Sequence, residues 1–216
     1  MLLKLQFLIV GSLMFLNIAY GQGLVIKDSV LIDSHEDTIL NIGIYRTFEE
    51  FKYNNPSLEL NYKIETSKCN GCEITSDKAF FFKLLTDKPV PNDIRKAFGF
   101  CDGQNIYIRA FTLLPVSRNR FVKILYLGRY SYFEDMATAF TGFSVMKYRN
   151  ELVIDIETGK RISLDRSKLR KLMADDPELI EKMDSESHID VKEYIITYQE
   201  RKKQSDLPGL NELPWE

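Results

Sequence analysis

The chain has 216 residues, 44% of them hydrophobic and 28% charged, with a formal net charge of -2. That length, less an N-terminal leader, suits one domain with a sizeable core, and the composition is that of a globular protein with disorder confined to its ends. The near-balance of charge argues against nucleic acid, which calls for a strongly basic surface.

Met1 to Gly21 reads as a signal peptide. Lys4 precedes an apolar stretch from Leu5 to Ile18, and Ala19-Tyr20-Gly21 follows with small residues where a signal peptidase requires them. The apolar run is interrupted by Gln6, Gly11, Ser12 and Asn17 and falls short of the roughly 20 residues a spanning helix needs, so a cleaved leader is favoured over an anchor. The mature chain is then expected to begin at Gln22, exported through the inner membrane to the periplasm or beyond, with no transmembrane segment left. The expected organisation is a signal peptide over residues 1–21, a single domain over 22–204 and a flexible tail over 205–216.

The first element after the leader is a short helix. Gly43-Ile44-Tyr45 leads into Phe48, Glu49, Glu50 and Phe51, where Thr47 and Glu50 have capping-box spacing and Pro56 provides a stop. Tyr62, Ile64 and Thr66 alternate with Lys63 and Glu65, as a half-buried strand does. Ala79 to Leu85 is a further apolar run, and Asp102-Gly103 is a hairpin turn signal before the alternating Ile106, Ile108 and Ala110. Phe121 to Leu127 is apolar on both alternating sets except at Lys123, which predicts a central strand covered on both faces, with C-terminal helices as the cover. Val145 to Tyr148 and Leu152 to Ile156 flank Arg149-Asn150 and read as a hairpin, with Glu157 to Lys160 as the next turn. Helical spacing then takes over: Leu169, Leu172 and Met173; Leu179, Ile180 and Met183 after the Asp176-Pro177 start; and the stripe Val191, Tyr194, Ile195, Tyr198. Strands first and helices last predict an α+β fold, a largely antiparallel sheet with hairpins followed by C-terminal helices packed on it.

Cys69-Asn70-Gly71-Cys72 and the separate Cys101 carry the one chemical pattern in the chain. A Cys-x-x-Cys pair can act as a dithiol centre, one thiolate attacking and the other resolving. Redox centres of that type place the first cysteine at a helix N-terminus, whereas this pair brackets Asn-Gly, a type I′ hairpin signal. A structural bridge, Cys69 to Cys72 or one of them to Cys101, is therefore favoured over catalysis. Zinc would need Cys101 as third ligand and His35 or His188 as fourth; both histidines sit in polar stretches, so no metal is assigned.

Other catalytic signatures fail on inspection. Gly142-Phe143-Ser144-Val145-Met146 lacks the second glycine of a nucleophile elbow, and His35-Glu36 has no second histidine at zincin spacing. Asp155 and Glu157 share a strand face and would be an acid/base pair only if they faced a cleft; solvated charges at a hairpin end are the favoured reading. Tyr130 and Tyr132 beside Arg129 are candidates for an exposed binding surface. Trp215 lies in a Pro- and Gly-containing tail that reads as a frayed terminus. No cofactor is assigned.

Gly43-Ile44-Tyr45 with Phe48 and Phe51, Asn55-Pro56-Ser57, Ala97 to Gly103 followed by Ile106-Tyr107-Ile108, Gly128-Arg129-Tyr130, and Asp155 to Lys160 ahead of Asp176 to Leu179 together resemble a functionally uncharacterised family of small exported bacterial proteins. The resemblance implies export from a Gram-negative cell and a shared fold, with no established activity, ligand or catalytic residue. The Cys-x-x-Cys pair is not part of that pattern. The expectation is an exported, non-catalytic binding or envelope-associated domain with an unidentified envelope or extracellular partner; the alternative is a thiol-disulfide oxidoreductase using Cys69 and Cys72.

Overall fold

The computed structural model describes residues 40–67, 81–110, 119–141 and 144–206. The leader, the Cys69/Cys72 pair, His35 and the Trp215 tail lie outside them. Strands occupy the described chain up to residue 163 and three of its five helices follow, the α+β order expected.

Strand β1 (Gly43–Tyr45) leads into helix α1 (Phe48–Lys52). Thr47 Oγ1 accepts the Glu50 N–H at 3.3 Å, and the Glu50 carboxylate reaches back to the Arg46 N–H at 2.6 Å, one residue upstream of the usual capping-box partner. Strands β2 (Lys63–Ser67) and β3 (Phe81–Leu85) pair with Ser67 opposite Phe81, so the pairing is not centred on Asn70-Gly71; the connection from 68 to 80 lies outside the described residues. Helix α2 (Asn92–Arg95) then precedes β4 (Gly99–Cys101) and β5 (Ile106–Arg109). Their turn is held by Asp102, whose carboxylate accepts the backbone N–H groups of Gln104 and Asn105 at 2.9 and 2.7 Å.

Strand β6 (Phe121–Tyr126) is central, as expected, and it also divides the sheet. One of its edges pairs with β5; the other meets β3 at Phe82–Phe121 and then β7 (Tyr130–Thr141) at Ile124–Phe133 and Tyr126–Tyr132, with a register shift between those two pairs. The antiparallel order β1-β4-β5-β6-β7-β8-β9 thus forms two leaves sharing β6, with β2 and β3 extending the first. Strands β8 (Ser144–Asp155) and β9 (Arg161–Ser163) complete the second.

Three buried clusters follow from this geometry. Between the leaves lie Tyr45, Phe51, Cys101, Ile106, Ile108, Val122, Ile124, Phe133, Leu152, Ile154 and Ile156. The outer face of the first leaf holds Ile44, Leu84, Phe100, Tyr107 and Phe121 under Ile94 and Ala97, residues in and just after α2. The outer face of the second leaf holds Tyr126, Tyr132 and Val153 under the C-terminal helices. Each fully buried large apolar side chain contributes about 1.5–3 kcal/mol, so all three layers matter to stability.

Two sequence expectations are corrected here. Of β6 only Tyr126 belongs to the cluster under the C-terminal helices; Phe121, Val122 and Ile124 are covered by the opposing leaf and the α2 layer, because the sheet folds over on itself, and Leu125 is exposed. Arg149-Asn150 is not a turn: β8 runs unbroken through it, with Asp135 opposite Asn150 and Met136 opposite Arg149, and the pairing closes at Thr141–Ser144. Pairing with β7 keeps both residues extended; Arg149 reaches Glu134 at 3.6 Å, and Asn150 accepts a hydrogen bond from Ser163 Oγ at 2.7 Å.

Helix α3 (Arg166–Leu172) is capped by Asp165, which accepts the Lys168 N–H at 2.8 Å. Helix α4 (Pro177–Ser185) has the expected Asp176 cap, 3.0 Å from the Leu179 N–H, with Leu179 and Met183 buried. Helix α5 (Val191–Asp206) buries Val191, Tyr194, Ile195 and Tyr198, the stripe its spacing predicts. Among the described residues no helix is long and apolar enough to cross a membrane.

Candidate functional site

The residues singled out from sequence are dispersed. Arg129 is exposed, pairs with Glu157 at 2.8 Å and covers the Tyr130 ring at 5.4 Å from its centroid. Tyr130 is half-buried, 6.4 Å from the Tyr198 ring. Tyr132 is not exposed: it is fully buried against the helices, because odd and even positions of β7 face different layers and its own faces the helical one. Its hydroxyl lies 3.2 and 3.0 Å from the Glu134 and Glu151 carboxylates, which sit opposite each other across β7 and β8. Burial first, and those two carboxylates next, push the Tyr132 phenol far above its ordinary range.

Asp155 and Glu157 do not share a strand face. Asp155 ends β8 and spends its carboxylate on the turn, accepting the Glu157 N–H at 3.0 Å and the Thr158 hydroxyl at 2.9 Å, while Glu157 points to Arg129.

Cys101 is a buried free thiol between the leaves. Burial raises its pKa, and the Gly103 N–H, 3.3 Å from Sγ, opposes that rise without cancelling it. A thiol kept protonated is a poor nucleophile and metal ligand. His188 is exposed between α4 and α5, away from this core. In the folded mature protein Cys101 is therefore expected to resist iodoacetamide at pH 8 while Cys69 and Cys72, if reduced, react; modification of Cys101 should require denaturant or a pH well above 9. Because the folded-state pKa is raised, the protonated thiol favours the fold below that pH and the contribution is lost as pH climbs past it. Mass-localised labelling checks this, and prompt labelling of Cys101 at pH 8 would mean that the leaves open readily.

The densest unassigned chemistry lies at the seam where β9 closes over the first leaf. Arg161, opposite Ile154, is half-buried; its Nη1 donates to the Arg109 carbonyl oxygen at 2.6 Å. The guanidinium lies 5.6 Å from the Phe98 ring centroid and 5.8 Å from that of Phe133. Arg109 Nη1 in turn donates to the Lys96 carbonyl at 2.6 Å. Burial, and then repulsion from Arg109, bring the Arg161 pKa down to about 10, with the charge of Asp135 acting the other way. Asp135 is itself buried, at 2% exposure. Neither guanidinium has an ion-pair partner among the described residues. The sequence gives this cluster no signal, since a basic residue straight after a turn ordinarily reads as solvated; the approach of the two leaves is what encloses it.

No curated protein and no solved structure matches the chain. Residues 43–147 match the model of a family of unknown function (DUF6563), from β1 through α1 and α2 into the first part of β8 and short of Arg161 and the three C-terminal helices. Over this stretch, just under half of the chain, the protein is similar to a functionally uncharacterised family, the kind of family that the scattered turn and strand motifs resemble.

Proposed function

We propose that the protein is an exported, non-catalytic binding domain acting in the envelope or outside the cell. What carries the reading is the division of labour among its polar groups. The carboxylates of Asp102, Asp155 and Asp176 are committed to turns and caps, and the Cys101 thiol is sequestered. The Arg109/Arg161 seam, by contrast, keeps donors that nothing in the described protein uses. Groups that hold architecture do not turn substrates over, while a half-buried cation with spare donors is suited to holding a ligand. Export rests on the leader pattern at Met1 to Gly21.

The test has two readouts on protein recovered from cells producing the full chain. N-terminal sequencing of the extracytoplasmic fraction is expected to start at Gln22; a chain that keeps Met1 and stays in the cytoplasm contradicts export. Alkylation of the cysteines across glutathione buffers is expected to show a Cys69–Cys72 bridge resisting reduction below about -300 mV, as a structural disulfide does. A potential between about -270 and -120 mV would make the oxidoreductase reading the better one.

A further inference from the structure

We infer that the seam between the two leaves binds a small oxyanion, a phosphate or carboxylate group, held by Arg161 and Arg109. The inference deepens the binding reading and rests on it. Three observations lead to it.

The first is charge. Arg161 and Arg109 are near enough to repel, Asp135 draws on the Arg161 charge but has other interactions of its own, and neither guanidinium has an ion pair among the described residues, so positive charge is left uncompensated in a partly enclosed space. An uncompensated cation away from bulk water is costly, and a bound anion removes that cost.

The second is geometry. Arg161 uses Nη1 on the Arg109 carbonyl, and no other acceptor in the described protein engages its guanidinium. A planar guanidinium with a free edge matches two oxygens of one phosphate or carboxylate, and such charge-assisted pairs are the strong ones.

The third is preorganisation. Phe98 and Phe133 flank the guanidinium from the two leaves, and the hydrogen bond to Arg109 fixes its near edge, so little side-chain freedom remains to be lost on binding. Arg109 is held likewise through the Lys96 carbonyl, near enough for its charge to act on that of Arg161.

The experiment titrates the full mature protein with inorganic phosphate and, separately, with succinate, each against sodium chloride at matched ionic strength. Calorimetry and the thermal midpoint are the readouts. Saturable binding near one equivalent is expected for at least one of the two anions, with a midpoint that climbs with the logarithm of its concentration. The tighter probe identifies the group as phosphoryl or carboxylate. Arg161→Lys keeps the charge and removes the fork; Arg109→Gln removes the second charge and keeps the carbonyl that Arg161 uses. Each is expected to weaken binding at least tenfold. Arg109→Gln touches only one exposed hydrogen bond, so it remains informative if Arg161→Lys fails to fold. Stabilisation no greater than that given by chloride, or binding unchanged in Arg109→Gln, overturns the site. That failure leaves the binding reading standing, whereas a working redox potential at Cys69 and Cys72 removes the binding reading whatever the anions do.

Discussion

Gly99→Ala is expected to destabilise the protein by about 3 kcal/mol, at the upper end of the usual cost of overpacking. A Cβ at Gly99 would lie 2.2 Å from the Tyr107 carbonyl oxygen and 3.2 Å from Ile108 Cα, both backbone atoms of the neighbouring strand that cannot swing aside as a side chain would. Gly99 is flanked on both edges, opposite Ile108 on β5 and Tyr45 on β1, so relief in one direction disturbs the other ladder. The aromatic layer beyond it has little slack either: Phe100 stacks on Tyr107 at 4.5 Å between ring centroids and meets Phe121 edge-on at 5.0 Å. For a chain of this length the loss corresponds to a fall of roughly 6–12 °C in melting temperature. Urea unfolding of the variant measures it directly, and a loss under about 1 kcal/mol would show that β4 and β5 separate freely at this point.

Gln199→Leu is the second large effect, again about 3 kcal/mol, from a residue with no catalytic credentials. Strand β6 ends at Tyr126, so the edge of β7 at Tyr130 has no strand to pair with on that side. Gln199 takes the strand's place. Its Oε1 accepts the Tyr130 N–H at 2.8 Å and its Nε2 donates to the Tyr130 carbonyl at 3.2 Å, from a side chain only 6% exposed on α5. Leucine fills similar space and leaves both backbone groups buried without partners, at about 1–3 kcal/mol each. Gly128 belongs to the same contact, since a Cβ there would come within 2.6 Å of Gln199 Oε1; the glycine lets the amide approach the strand. Hydrogen exchange is the sharper measurement. In the variant the amides of α5 and of Tyr130 should lose protection together while those of β4 and β5 keep theirs, and uniform loss across the molecule would refute a local docking role.

These two residues also mark where sequence reasoning stopped. Periodicity and cap chemistry are local, and they located α1 by its Thr47/Glu50 pair, α4 by Asp176-Pro177, the buried stripe of α5, the Asp102-Gly103 hairpin and the central position of β6. They failed where a residue's role depends on what arrives from far away in the chain. Arg149-Asn150 looks like a turn until β9 brings Ser163 to Asn150; Tyr132 looks exposed until the helices cover the face of β7 that carries it. Gln199 reads as a polar residue beside an apolar stripe, and nothing near it in sequence shows that a strand edge 69 residues away lacks a partner.

The candidate site follows the same rule. Cys101, Arg129, Tyr130 and Tyr132 were legible as residue types with chemical potential, but their surroundings were not: Cys101 and Tyr132 are buried, and Arg129 holds Glu157. By itself the sequence determined the α+β order, the starts of α1 and α4 and the balance of charge, because these depend on spacing within a few residues; it gave no sign of α2. Only the tertiary structure decided that the sheet divides at β6 into two leaves, that β9 closes over the first, and that Arg161 meets Arg109 there. Bringing residues 52 positions apart into one half-buried cluster depends on strand pairing and leaf packing, which no local pattern encodes.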